Sequence, residues 1–192
     1  MPIRFKKIYK NILNKSFDDI GAFTLSKKPK RMPVVLSRGE IERLLNRINE
    51  PFYCLMASLL YGCGMRLMEC VRLRVFDIDF DYQQIMIRNA KGNKDRVTFL
   101  PDDLVSLLKA QIIKVELLHK KDLDNGFGEV YLPDALARKY VNAAKSLGWQ
   151  YLFPSTTISK DPRSGKSMRH HIHKSAMQKA ISQAVKQLGM QK

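Results

Sequence analysis

The chain is poor in acid, in cysteine and in long apolar runs, and each shortage removes a class of protein. Against 34 Lys and Arg stand only 18 Asp and Glu, which leaves a formal net charge of +16 over 192 residues. An excess of that size goes beyond what solubility requires and points to a polyanionic partner. Cysteine occurs three times, as Cys54, Cys63 and Cys70, an odd number with no C-x-x-C spacing. With no signal peptide ahead of them, they fit small core residues in a reduced, cytoplasmic compartment. No apolar stretch approaches the ~18 residues that span a bilayer, so no membrane segment is expected. Internal repeats and low-complexity tracts are absent, and a hydrophobic content of 45% argues against a wholly disordered chain.

The positive charge is unevenly spread. Residues 1–47 hold 12 basic and 4 acidic side chains, residues 156–192 hold 8 and 1, and residues 101–150 balance at 7 and 7. A neutral middle between basic ends suits an anion gripped by particular surfaces better than a uniformly basic tail; the bland reading is that the lysines only solvate helices. Met1–Phe17 is lysine-rich, with Phe5, Ile8, Ile12 and Leu13 at helical spacing, and reads as the end of an upstream unit rather than a targeting helix. Gly21–Arg31 reads as a basic linker broken at Pro29.

Beyond the linker, Ser37 and Glu40 form the capping-box pair of a helix whose stripe is Ile41, Leu44, Leu45 and Ile48. A second helix is predicted over Phe52–Tyr61, ended by Gly62-Cys63-Gly64, and a third begins near Met65. The period then changes to two, which predicts strands at Val75–Phe80, Ile85–Arg88 and Arg96–Leu100. A long helix follows from Pro101 to about Lys121, a polar loop at Asp122–Gly128, and helical patches at Pro133–Leu147 and Ile172–Leu188 around an irregular stretch. The expected fold is α+β and mainly helical: a helical bundle with a small three-stranded antiparallel sheet.

Two places hold candidate chemistry. Arg66 follows Gly62 and Gly64 at a helix start, where glycines allow close approach and free N–H groups favour phosphate. Glu69, three residues on, can hold Arg66 in one orientation, although such a pair alone is worth only roughly 0.2–0.5 kcal/mol. The turn Ala90-Lys91-Gly92-Asn93-Lys94-Asp95-Arg96 presents lysines on a hairpin, where one can contact a leaving oxygen as general acid; a plain solvated turn is the simpler account.

Taken together, Tyr61-Gly62-Cys63-Gly64-Met65-Arg66-Leu67-Met68-Glu69, the three strands and the lysine hairpin resemble the tyrosine recombinase (phage integrase) family, whose arginine box reads close to T-G-x-R-x-x-E. Within that family the likeness is closest to integron integrases. Ser26-Lys27-Lys28-Pro29-Lys30-Arg31-Met32-Pro33-Val34-Val35-Leu36 resembles their interdomain linker, and Leu132-Pro133-Asp134-Ala135-Leu136 and Arg169-His170-His171 resemble parts of their insertion. The implied organisation is the end of an N-terminal core-binding region and linker at 1–32, then the first part of a catalytic domain at 33–192 with an insertion at about 122–173.

The resemblance implies roles for single residues. Arg66 would bind the non-bridging oxygens of the scissile phosphate, Glu69 would buttress it, and Lys91 would protonate the leaving 5′-hydroxyl, with Lys94 the second candidate. Lys94, Arg96, Pro162, His170 and His171 would bind DNA, the last three by holding bases extruded from a folded single strand, with Trp149 either assisting or in the core. His170, His171 and His173 with Asp161 also bring together metal-binding residue types, or an ordinary surface cluster, but without ligand spacing; no metal or cofactor is expected. The family's second box, H-x-x-R, and its nucleophilic tyrosine stand downstream of the insertion and have no counterpart in residues 1–192. The 192 residues alone are therefore expected to bind recombination-site DNA without cleaving it, whereas the full enzyme would act as a tetramer on DNA. The rival reading is a basic architectural DNA-binding protein that performs no chemistry; an RNA-binding sheet would need paired aromatics that the strands lack.

Overall fold

The computed structural model describes Asn11, residues 35–90, Gly92, residues 94–132, Leu136, Lys139, Tyr140 and residues 142–190. The chain divides between Val35 and Leu36, and the helices and strands named below belong to the second unit. The predicted N-terminal helix (Asn11 apart), the linker up to residue 34, Lys91 and Asn93 lie outside the described residues.

Helix α1, Arg38–Arg47, begins where the capping pair places it. Ser37 Oγ accepts from the Glu40 amide at 3.4 Å, and Glu40 Oε2 accepts from the Ser37 amide at 2.8 Å. Helix α2, Pro51–Gly62, opens on a proline whose missing N–H costs nothing at the first turn, and buries Leu55, Met56, Ala57 and Leu59. Gly64 then takes φ +59°, the left-handed conformation that reverses the chain into α3, Leu67–Val71.

Next come three strands, β1 Ile78–Asp79, β2 Gln84–Ile87 and β3 Arg96–Phe99, antiparallel in the order β1-β2-β3, with Ile78 opposite Ile85 and Ile85 opposite Thr98. Alternation along β2 buries Ile85 and Ile87, each of which contributes about 1.5–3 kcal/mol on leaving water. Helix α4, Asp102–Asp124, runs for 23 residues. A short hairpin of β4, Ser159–Lys160, and β5, Ser167–Met168, precedes α5, Lys174–Gln187, which packs against α1, α2 and α3. One core joins these elements around Met56, Leu59, Leu108, Phe153 and Met177, and a smaller cluster forms at Val130, Leu132 and Tyr151. The molecule is thus mainly helical with a small three-stranded antiparallel sheet, as its periodicity predicts.

Local expectations change in three places. Val75–Asp77 is a 3-10 turn rather than strand, because the Asp77 carboxylate accepts from the Arg74 amide at 2.9 Å and from Arg88 Nε at 2.6 Å. Within the predicted helix Pro133–Leu147, the described residues after Tyr140 form 3-10 turns at Ala143–Lys145 and Leu147–Trp149; Ser146 Oγ, bonded to the Ala143 carbonyl at 3.0 Å, interrupts the run. The stretch read as irregular contains the β4–β5 hairpin. No helix among the described residues is long and apolar enough to cross a membrane.

Candidate functional site

Arg66 caps the N-terminus of α3 and meets Glu69 one turn later. Its Nη1 donates to Glu69 Oε1 at 2.7 Å and its amide donates to Glu69 Oε2 at 2.9 Å. Glu69 is almost enclosed, with a side chain 7% exposed, whereas the Arg66 side chain is 58% exposed and its other donors remain open to solvent. Burial works to raise the Glu69 pKa, but hydrogen bonds from the Arg66 amide, the Arg66 guanidinium and Arg96 outweigh it and hold the carboxyl below its ordinary value. The helix start itself contributes less than its sequence suggests. At five residues α3 carries little dipole, and the Arg66 amide is already taken by Glu69. The guanidinium itself is what this corner offers an anion.

The hairpin next to it is shaped by Asn89, whose φ of +50° and amide bond to Asp95 Oδ1 at 2.9 Å tighten the turn. Lys94 is exposed at its foot, and Lys91 lies outside the described residues. Arg96 is drawn inward: Nη2 donates to Glu69 Oε2 at 2.8 Å and to the Gly64 carbonyl at 3.2 Å.

A cavity of about 650 Å³ opens beside this corner, with Glu69 and Asp95 on one wall and Trp149, Pro162, His170 and His171 on others. Arg74 forms much of its back. It is only 7% exposed, donates to the carbonyls of Trp149 and Tyr131, and lies 4.5 Å above the Tyr151 ring. Burial lowers the Arg74 pKa against the attraction of Tyr151 and Asp77. Trp149 stacks on Phe76 with 5.9 Å between ring centroids, and the Arg88 guanidinium sits 5.5 Å from its ring. On the opposite rim Arg163 reaches the Tyr131 hydroxyl at 2.9 Å, and Lys166 pairs with Glu129 at 2.8 Å, fastening the β4–β5 hairpin.

The two histidines are held differently. His171 meets the Tyr151 ring edge-on at 5.1 Å, and its Nδ1 bonds the Ile172 carbonyl at 2.8 Å. A carbonyl only accepts, so Nδ1 carries the proton and Nε2 of the neutral ring is left as an acceptor. Burial is the main cause that lowers the His171 pKa, with Arg72, His170 and Arg74 adding to it and the Ile172 bond opposing it. His170 Nε2 is enclosed and has no hydrogen-bond partner among the described residues, with Asp161 Oδ1 at 3.6 Å. Just before the pair, Arg169 grips both oxygens of Asp122 at 2.5 and 2.7 Å and donates to the Ser155 carbonyl at 2.8 Å. His173 serves as the cap of α5, and among the described residues no three His, Cys, Asp or Glu gather as a metal ion requires.

Compared with known proteins, residues 35–192 match the sequence model of the Phage integrase family. The chain belongs to the phage integrase family. Two proteins named Integrase/recombinase, from Escherichia coli and Pseudomonas aeruginosa, are each 44% identical over 163 residues, which is 85% of this chain and 48% of theirs. Tyrosine recombinase XerA from Thermococcus onnurineus is 38% identical over 88 residues, 45% of this chain and 31% of its own. The chain thus spans about half the length, or less, of the curated relatives it matches. The crystal structure of XerA recombinase aligns over 98% of this chain and 61% of that one, with TM-score 0.53 and 21% identity. XerH recombinase bound to difH substrate in a pre-cleavage complex aligns over 100% and 50%, with TM-score 0.53 and 18% identity. At such identities the two structures support the fold.

In this phage integrase chain, the sequence-predicted residues fall into two groups, and one cavity is lined by Glu69 of the first and by all three of the second. Arg66, Glu69 and Arg96 form one cluster; Pro162, His170 and His171 line the far wall; Lys94 joins neither. Sequence reasoning missed Arg74, Tyr151 and the Arg169–Asp122 pair. Nothing local in Arg72-Leu73-Arg74 marks its second arginine for burial.

Proposed function

We propose that the chain is the front part of an integron-integrase-like tyrosine recombinase that binds recombination-site DNA for strand exchange. The carrying observation is the single cavity bounded by the arginine-box carboxylate Glu69 and by Trp149, Pro162, His170 and His171. Residues 1–32 would end an N-terminal core-binding region and linker, and residues 33–192 would open the catalytic domain, with the insertion at about 122–173.

In this reading the exposed guanidinium of Arg66 meets the non-bridging oxygens of the scissile phosphate, where charge accumulates as phosphorus becomes five-coordinate. Glu69 keeps that guanidinium turned outward, and Lys91 hands a proton to the leaving 5′-oxygen. A tyrosine outside these 192 residues would make the 3′-phosphotyrosine bond and store the energy of the broken ester. The residues described supply positioning and charge, so by themselves they bind rather than cleave. A tetramer on DNA is the assembly proposed for the whole enzyme.

Beside the phosphate, the cavity suits an unstacked base. It offers the ring of His171, an apolar face at Pro162, and an acceptor at His171 Nε2, beside the Trp149 ring that Phe76 and Arg88 already contact. Base stacking on such rings is worth about 1–3 kcal/mol per base, so the double substitution His170→Ala/His171→Ala should weaken binding to a bulged hairpin at least about fivefold. Binding to perfect duplex should change much less. Equal losses on both DNAs would reject the base-holding role, and a covalent protein–DNA adduct formed by the purified chain would reject the binding-only reading.

A further inference from the structure

Arg96 sits on a basic hairpin as if it were one more cation for the DNA, yet its guanidinium is turned away from the surface. Nη2 bridges Glu69 Oε2 at 2.8 Å and the Gly64 carbonyl at 3.2 Å, and the side chain is 35% exposed against 58% for Arg66. Glu69 therefore accepts from three donors: Arg66 Nη1 on Oε1, and the Arg66 amide and Arg96 on Oε2. A carboxylate held by one arginine can turn about its last bonds. With arginines on both oxygens it is fixed in plane, and charge-assisted bonds of this kind are the stronger class.

The second contact adds to the first. Gly64 holds φ +59° in the turn that delivers Arg66 to the start of α3, and Arg96 ties down its carbonyl from β3. A side chain 27 residues beyond Glu69 in sequence thus secures both the carboxylate that orients Arg66 and the turn from which Arg66 emerges. It also makes the strand leaving the lysine hairpin a structural part of the arginine box.

We infer that Arg96 is a positioning residue for Arg66, acting through Glu69 and the Gly64 carbonyl, and contributes no phosphate contact of its own. This rests on the reading of Arg66 as the phosphate-binding guanidinium.

The test is the salt dependence of duplex binding by the whole chain carrying Arg66→Gln, Arg96→Gln or both. Arg66→Gln should cost about tenfold in affinity and make the log–log salt slope shallower by about 0.9, the share of one phosphate contact. Arg96→Gln alone should cost about three- to tenfold. The double variant should match Arg66→Gln in both affinity and slope, since a residue that acts only through Arg66 has nothing left to position. A double variant that loses a further ~0.9 of slope would make Arg96 a phosphate contact and overturn the inference. An Arg66→Gln protein that binds like the unchanged chain would overturn the reading of Arg66, and this inference with it.

If Arg96→Gln does not fold, Glu69→Gln decides with opposite signs. Removing a negative charge and freeing Arg96 should tighten DNA binding if Arg96 meets phosphate. It should weaken binding if the carboxylate links Arg96 to Arg66.

Discussion

The arginine-box corner, through Glu69, and the segment around residues 122–173 border the same cavity but are held together in opposite ways. In the corner, the key pair is three residues apart on one short helix, and its guanidinium is half out in solvent. In the 122–173 segment, Arg169 reaches Asp122 across 47 residues of sequence, with side chains 12% and 8% exposed, and Tyr151 is reached by Arg74 from 77 residues away. A local pair whose arginine stands out in solvent adds little stability and leaves the cation available. A remote, enclosed pair ties distant parts of the chain together and gives up its charge to do so. The contrast matches the proposed tasks: the corner must present a positive charge, and the insertion must keep a shaped wall.

The strongest way to break the contrast is to remove one partner of the enclosed pair. Asp122→Ala leaves the Arg169 guanidinium buried without a counter-charge, for which the expected cost is about 3–5 kcal/mol of unfolding free energy. Urea denaturation followed by Trp149, the single tryptophan, measures this cost. Replacing both residues by apolar ones, Asp122→Leu with Arg169→Met, should return most of the loss, because the desolvation penalty goes with the charges. A single substitution costing less than about 1 kcal/mol would place the pair with ordinary surface bridges.

The exposed corner should give a smaller number. Glu69→Gln should cost about 1 kcal/mol or less, because two of its three bonds come from guanidiniums that solvent already screens. Its sign with pH is set by the lowered carboxyl: the stabilisation is complete above the ordinary carboxylate range and is lost as pH falls through the folded-state value. Acid titration of stability should therefore be flatter in Glu69→Gln than in the unchanged chain. A cost near that of Asp122→Ala would erase the distinction between the two regions.

How far the sequence can be read follows the same divide. Ser37 with Glu40, Arg66 with Glu69 and the buried face of β2 all express local periods, and each stands where three- or two-residue spacing places it. The β-branched Val75 argues for a strand, and is overruled by Asp77 closing a turn on the Arg74 amide. Arg74 and Arg169 are out of reach because their partners are 57 to 77 and 14 to 47 residues away and share no spacing with them. Arg96 is visible as a residue of interest through its charge, while the direction of its guanidinium depends on how β3 is set against α3. Pro162, His170 and His171 stand out through a family likeness, and the fold brings them to one cavity; their chemistry there is a proposal.

The finest test of the comparison is His171, which lines the cavity from the 122–173 side. Its folded-state pKa is lowered, first by burial and then by Arg72, His170 and Arg74, so the unfolded chain takes up the proton at higher pH than the folded one. As pH drops below the ordinary histidine value of about 6.5, the unfolded state binds more protons and stability falls; above that value the contribution is fully present. His171→Phe retains a ring against Tyr151 but cannot titrate. Its stability should be nearly level between about pH 7 and pH 5, where the unchanged chain declines. The effect should be smaller than that of Glu69→Gln, since the ring is only partly buried and a protonated imidazole at the cavity can still be hydrated. If the two proteins decline in parallel, the acid sensitivity belongs to other groups, and the His171 ring is not held neutral by the wall that Arg74 and Tyr151 build around it.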